Sequence, residues 1–354
     1  RGLAYRDRNW QWWCPRCQTT LSSHEVAGGT CWRGHPGVYR REIPAWYFRI
    51  TAYAEELLAG LDEIDWPEPI KAMQRAWIGR SEGCEIIFET MDGAKIPVFT
   101  TRPDTIYGVT FFALAPEHEW VSKITTPDHR SKVDDYIRAA ALLSDQERSN
   151  ETRTKTGVFT GGYVIHPLTH EQIPVWVADY VLTHYGSGAV MGVPAHDGRD
   201  FDFARLYHIP VRTVIDKDTG GGDAIQEAYT GPGILINSGR YDGLPNIQAA
   251  QMICEDLLSR GVGGPKVVYR MRDWLISRQR YWGTPIPIVH CQNCGEVPVP
   301  EARLPVTLPE MENFKPDGSG RSPLARSADF SQTICPACGG LAEREYDTMG
   351  GFAC

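Results

Sequence analysis

The sequence predicts an α/β protein with a mixed, barrel-like central domain set between two small cysteine-rich modules, and three observations carry that expectation. Between residue 84 and about residue 265, alternating apolar and polar stretches outnumber helical ones. Seven of the ten cysteines stand in clustered spacings on either side of that region. Glycine-rich breaks at Gly79–Gly83 and at Gly263-Gly264-Pro265 bracket it.

At 354 residues the chain exceeds one ordinary core. A hydrophobic content of 42% with 23% charge is that of a globular protein. No apolar run is long enough to span a bilayer and no export signal opens the chain, so a cytoplasmic location is expected and a membrane partner is not. The chain opens on Arg1 and stops at Cys354, just after Met349-Gly350-Gly351-Phe352, and is expected to be a segment of a longer protein.

Charge is uneven. The net value is -8, yet residues 1 to 50 hold eight Arg against Asp7, Glu25 and Glu42, or +5, leaving -13 for the rest. With Trp10, Trp12, Trp13 and Trp32 this start suits nucleic acid, since Arg neutralises phosphate and indoles stack on bases. Arg on a solvated face over a small Trp core explains the composition equally well.

In chain order, Cys14-Pro-Arg-Cys17 comes first, followed by Cys31 and, after three intervening residues, His35. Two short knuckles supply the four tetrahedral N or S ligands of structural zinc; the other reading is a single knuckle without a partner. His24 is a less well-spaced fourth ligand. From Thr51 the pattern is helical, with Tyr53, Leu57 and Leu61 at four-residue steps until Pro67 and Pro69 stop it, and a second helix runs from Lys71 to Ile78.

The central region then predicts strands at 84–90, 95–100, 106–114, 162–166, 173–182, 188–193 and 211–215, with helices at 133–144, 198–207 and 246–260. The first two strands form a hairpin about Asp92-Gly93. At its open end, Thr100-Thr101-Arg102-Pro103-Asp104-Thr105 gathers hydroxyl, guanidinium and carboxylate groups where Pro103 forbids the ladder. Such a run is a capped turn or a grip on a polar ligand. The second motif runs from Tyr185 through Gly188, Met191 and His196 to Asp197, Arg199 and Asp200. Asp197 is placed as a helix N-cap. Asp200 is then either the acidic half of a capping box or a carboxylate free to hold an ammonium.

Arg270, Arg272, Arg278 and Arg280 interleave with Trp274, Tyr281 and Trp282, a pattern for phosphate contact or for structural Arg packing. Cys291-Gln-Asn-Cys294 is answered by Cys335-Pro-Ala-Cys338, the spacing of a zinc ribbon, with His290 a surplus ligand. Cys84 and Cys254 sit singly on apolar patterns as buried hydrophobes.

In this order the motifs resemble the bacterial-type leucyl-tRNA synthetases over essentially the whole chain. The residues responsible are Cys14-Pro-Arg-Cys17 with Cys31-Trp-Arg, Trp46 to Leu58, Ala72 to Arg80, Thr100 to Thr105 with Leu114-Ala-Pro-Glu-His118, Gly188 to Asp200, and Asp273 to Gly283. The resemblance implies a barrel-like editing domain inserted between pieces of a class I Rossmann-type core. It divides the chain into a zinc module with a connection from the core (1–50), a helical connector (51–79), the editing domain (80–268), a return segment (269–290) and a zinc-ribbon insertion with the start of the next core segment (291–354).

By the same resemblance the segment hydrolyses misacylated tRNA(Leu), as one part of a leucine–tRNA ligase. A synthetic pocket distinguishes leucine from norvaline or isoleucine by only about 1–3 kcal/mol, so a second, hydrolytic sieve is needed. Thr100 and Thr101 resemble the wall around the terminal ribose and attacking water, Thr105 the residue whose bulk refuses leucine, and Asp200 the anchor for the α-ammonium. Arg102, Tyr185, Met191 and Arg199 resemble pocket wall or contacts to the tRNA 3′ end. Structural zinc at Cys14, Cys17, Cys31 and His35 and at Cys291, Cys294, Cys335 and Cys338 is implied, as is a monomer whose partner is the tRNA(Leu) acceptor end. The family's His-Ile-Gly-His and Lys-Met-Ser-Lys-Ser signatures are absent, so ATP and Mg chemistry is expected only in the full-length enzyme. The rival class is a non-catalytic zinc-ribbon tRNA-binding scaffold.

Overall fold

The computed structural model describes residues 2–22, 25–27, 29–150, 152–183, 186–217 and 226–350. They form two compact units, one spanning Tyr53–Arg272 and the other combining Arg1–Ala52 with Asp273–Cys354.

The unit Tyr53–Arg272 is built on strand Arg80–Thr90, whose alternation buries Cys84, Ile86, Phe88 and Thr90 on one face. It forms the expected hairpin with Lys95–Thr100, pairing Phe88 with Ile96 and Cys84 with Thr100 across the Asp92-Gly93 turn. Along the sheet the order is Ala189–Gly192, Phe111–Leu114, Gln172–Ala178, Gly157–Ile165, Arg80–Thr90, Gly263–Tyr269. All pairs are antiparallel except Gln172–Ala178 on Phe111–Leu114, which is parallel. Lys95–Thr100 pairs with Arg80–Thr90 and also lies beside Ala189–Gly192, at the far end of that order. The sheet therefore curls into a half-barrel. This closure carries the end of the hairpin to the glycine-rich strand, the two stretches that the sequence marked as chemical.

A core of Ile86, Phe88, Ile96, Val98, Ile106, Phe112, Leu114, Val164, Val175, Val177 and Met191 fills the curl. Each such side chain contributes about 1.5–3 kcal/mol on leaving water. Helix Asn246–Ser259 packs against it through Ala249, Ile253 and Leu257, and Cys254 donates its thiol hydrogen to Cys84 at 2.7 Å, both buried as expected.

Several elements differ from expectation. The strand predicted over 106–114 is only Phe111–Leu114; Pro103–Gly108 is a 3₁₀ helix, because Pro103 fixes a helical φ and leaves no ladder donor. The strand predicted to 182 ends at Ala178, where the chain turns through Asp179 and Tyr180. Of 211–215 only Ile215–Asp216 is extended, paired with Ile234–Leu235 outside the main sheet. Pro69 does not stop the first helix. It sits in the opening turn of Glu68–Ile78, where a missing N–H is costless. Gly79 caps that helix in the left-handed conformation (φ 59°), but the rest of the expected glycine-rich break is strand, with Ser81 to Gly83 paired to Val268, Val267 and Lys266. Helices Gly198–Tyr207 and Arg130–Ala140 lie close to their predicted ranges.

In the second unit, Ala4–Cys14 and Tyr39–Phe48 make a long antiparallel hairpin, extended on its sides by Thr19–Leu21 and Trp274–Leu275. Sequence periodicity did not reveal it, since Arg and Trp alternate there without an apolar stripe. A four-stranded ribbon follows in the order Gly295–Pro298, Ile288–Cys291, Leu341–Arg344, Gln332–Ile334. Buried Trp46 packs with Ile276 and Ile286 and donates its indole N–H to Glu345 at 2.7 Å. Arg278 donates to the carbonyls of Leu275 and Ser277, and Arg280 to that of Cys17 at 2.8 Å. For these two the structural reading of the basic-aromatic run holds, whereas Trp282 is 78% exposed.

Candidate active site

The turn after the hairpin is organised by its own side chains. Thr100 Oγ1 accepts from the Arg102 N–H at 3.0 Å, and Thr105, fully buried, donates its hydroxyl to the Arg102 carbonyl at 2.8 Å. Buried Asp104 receives the Arg102 guanidinium (Nη2 at 2.8 Å) and the Asn246 amide at 3.2 Å. Arg102 also reaches the Thr230 carbonyl at 3.2 Å. Thr101 is exposed.

The second stretch meets this turn from the other side. Gly188 adopts φ 73°, where an added Cβ would lie 3.1 Å from His118, so the small residue is required there. The Thr110 N–H donates to the Gly192 carbonyl at 3.1 Å, tying the end of the 3₁₀ turn to the glycine-rich strand. Met191 is a core residue opposite Phe112. Arg199 is largely exposed and pairs with Asp197 at 3.1 Å. Tyr185 and His24 lie outside the described residues.

His196 is spoken for at both ring nitrogens. Its Nε2 accepts from the Val214 and Ile215 N–H groups at 3.0 and 3.3 Å, so Nδ1 carries the proton and donates to the Tyr229 carbonyl at 2.9 Å. Burial lowers its pKa, and nearby Arg102 lowers it further. His166 is arranged the same way: Nδ1 accepts from Leu168 and Thr169, and Nε2 donates to the Ile106 carbonyl. Neither ring is free to take a proton from water.

The structure excludes one of the two sequence readings of Asp200. Asp197 is the N-cap of Gly198–Tyr207, accepting from the N–H groups of Arg199 and Asp200. Asp200 does not close a capping box. Its Oδ2 accepts from the Val193 N–H and its Oδ1 from the Tyr180 hydroxyl, both at 2.9 Å. Among the described residues both donors are neutral. Burial raises its carboxyl to about 7 and the Asp197 charge adds to the rise, while the Val193 N–H, the Tyr180 hydroxyl and Arg199 oppose it. A buried carboxylate with acceptor capacity left and, among the described residues, no bonded cation is suited to receive one. Tyr180 and Asn246 were not found from sequence. No motif marks them, and they meet the site only through the fold.

The cysteine clusters assemble as spaced. The donor atoms of Cys14, Cys17, Cys31 and His35 lie within 4.8 Å of one another, as do those of Cys291, Cys294, Cys335 and Cys338. Tetrahedral zinc with bonds of about 2.3 Å separates sulfurs by about 3.8 Å; Cys17 and Cys31 are 3.9 Å apart, and Cys291 and Cys338 3.6 Å. The backbone N–H groups of Cys294 and Asn293 bring the Cys291 thiol down to about 7, while its hydrogen bond with Cys338 pushes the Cys294 thiol up, so the support for a metal is the spacing of the donors. Both donor sets fit a closed structural metal site.

Residues 265–313 match the family model of class I tRNA synthetases (I, L, M and V), which sets the class of the protein. Residues 75–258 match the model of the leucyl-tRNA synthetase editing domain, and the chain belongs to the leucyl-tRNA synthetase family. It is 53% identical over 99% of its length to the leucine–tRNA ligase of Rubrobacter xylanophilus, covering 43% of that protein. Against the leucine–tRNA ligase of Dehalococcoides mccartyi it is 51% identical over its full length, covering 44%. A solved ternary complex of Agrobacterium radiobacter LeuRS with tRNA and LeuAMS superposes with a TM-score of 0.79 at 40% identity, over 98% of this chain and 40% of that one. The chain thus spans under half the length of the relatives it matches. No helix among the described residues is long and apolar enough to cross a membrane.

Proposed function

We propose that this chain is the proofreading part of a leucine–tRNA ligase and hydrolyses the ester of tRNA(Leu) misacylated with isoleucine, norvaline or a similar amino acid. The observation that carries the reading is Asp200, a buried carboxylate bonded to two neutral donors, one of them the N–H of Val193 just past strand Ala189–Gly192, which lies beside the hairpin strand ending at Thr100.

In this reading the α-ammonium of the misattached amino acid docks on the two unused acceptor positions of Asp200. Its positive charge restores the ionisation that burial opposes. Thr100 and Thr101 hold the terminal ribose and a water molecule against the ester carbonyl. Water adds to that carbonyl, and the ribose oxygen leaves with the proton, giving free amino acid and tRNA. Since His196 and His166 spend both ring nitrogens on the backbone, catalysis comes from positioning and hydrogen bonding rather than from an imidazole base. Thr105 closes the space that a leucine side chain would need. Arg102, Tyr185, Met191 and Arg199 shape the pocket or contact the 3′ end.

The two zinc sites are structural: with four protein ligands each leaves no place for water. ATP and Mg serve leucylation in the full-length enzyme. A cytoplasmic monomer whose partner is the tRNA(Leu) acceptor end completes the proposal. Deacylation of norvalyl-tRNA(Leu) by the chain tests it. Salt-dependent tRNA binding without turnover at any enzyme concentration would favour a scaffold instead.

A further inference from the structure

Asp200 is oriented by a residue that lies twenty positions earlier and belongs to no motif. Tyr180 sits in the turn after Gln172–Ala178, is buried, and packs its ring on Phe203 at 5.6 Å between centroids. Its hydroxyl donates to Asp200 at 2.9 Å.

The turn is held by an unusual amount of buried charge. Arg148 is 1% exposed and donates Nε to the Asp179 carbonyl and Nη2 to the Val181 carbonyl, each at 2.6 Å, so its fork grips the residues on either side of Tyr180. Its Nη1 donates to Glu117 at 2.6 Å, and that carboxylate is 6% exposed. Asp179 is fixed further by Arg153 at 2.6 Å and by the Thr156 hydroxyl at 2.7 Å. Burying an ion pair costs about as much as it returns, so stability alone does not account for it. What the clamp leaves is one phenol with a fixed direction.

We infer that Tyr180 is a positioning residue for Asp200, and that the Arg148–Glu117 pair keeps it in place; the inference rests on the reading of Asp200 as the ammonium anchor. The Tyr180 hydroxyl occupies one acceptor position of Oδ1 and the Val193 N–H one of Oδ2, which fixes the carboxylate plane and leaves one position on each oxygen for the substrate. As a donor it also favours the charged form that an ammonium needs. The other charged groups around Asp200 are Asp197 and Arg199 on its own helix, and the Asp179–Arg153 pair borders Tyr180 on the turn.

The test compares wild type, Tyr180→Phe and Asp200→Ala in deacylation of norvalyl-tRNA(Leu) between pH 5.5 and 8.5, with circular dichroism to confirm folding. Tyr180→Phe is expected to move the acid limb of kcat/KM upward by about one pH unit, roughly a tenfold loss below the limb, with recovery towards wild type at high pH. A merely structural tyrosine would lower activity evenly at all pH values. Carbon-13 NMR titration of Asp200 in wild type and Tyr180→Phe gives the result without turnover, and the carboxyl is expected to titrate higher in Tyr180→Phe. An unmoved limb and an unmoved titration, with Asp200→Ala inactive, would overturn the role of Tyr180 and leave that of Asp200 standing. Wild-type deacylation by Asp200→Ala would remove the underlying reading, and the inference with it.

Discussion

Replacing Asp200 by Asn removes a charge and keeps the shape, and the structure sets what that does to stability. The folded protein holds the Asp200 proton up to about pH 7, whereas an unfolded chain releases it near 3.8. Folding is therefore favoured by the protonated carboxyl at low pH, and that contribution is lost as the pH rises through the folded value. Between pH 5.5 and pH 8 the loss amounts to about 2 kcal/mol by the linkage relation. Asn is neutral throughout and does not lose it. Its side chain can still accept from Tyr180, but its NH₂ faces the Val193 N–H, a mismatch costing roughly 1–3 kcal/mol at every pH. That constant cancels in the comparison between pH values. Thermal unfolding of the unit Tyr53–Arg272 should thus show the Asn variant gaining on wild type by about 4–8 °C from pH 5.5 to pH 8. A difference in Tm that stays flat across that range would refute the account of Asp200 as a carboxylate charged against its burial.

Thr105→Ala should open the pocket and let the chain hydrolyse correctly charged leucyl-tRNA(Leu), seen as a rise above the uncatalysed rate in a deacylation time course. His196→Gln is expected to cost roughly 1–3 kcal/mol in urea unfolding, because its ring satisfies three backbone groups, while the pH profile of deacylation keeps its shape. Elemental analysis should find about two zinc per chain. Cys17→Ser and Cys335→Ser should each lose one metal; no metal in protein never exposed to chelator would remove both sites.

The sequence made the ends of the chain and the two chemical stretches legible, and for physical reasons. Metal ligands are fixed by spacing, so Cys14 to His35 and Cys291 to Cys338 could be read without a fold. The hairpin about Asp92-Gly93 and helix Gly198–Tyr207 were legible because their signals are local: alternation, a turn dipeptide and an Asp cap. The end of the 3₁₀ turn, Ile106 to Gly108, reads as strand because Ile106 and Tyr107 lead into the apolar run of Phe111–Leu114. Gly263-Gly264-Pro265 reads as a break rather than the start of a strand because its pairing with Arg80–Ile86 is a long-range fact. The partners of Asp200 were hidden for a similar reason. Val193 contributes a backbone N–H and Tyr180 a single hydroxyl, and only the half-barrel brings them to one carboxylate.

Asp200 and the turn Thr100 to Thr105 form one hydrolytic site in this account. The most direct test is single-turnover deacylation of norvalyl-tRNA(Leu) by the chain and by its Asp200→Ala variant, with tRNA binding followed in parallel. Turnover by the wild type and its loss by about 10²–10³-fold in the variant, at unchanged tRNA affinity, is the expected result. Deacylation by Asp200→Ala at the wild-type rate would contradict it.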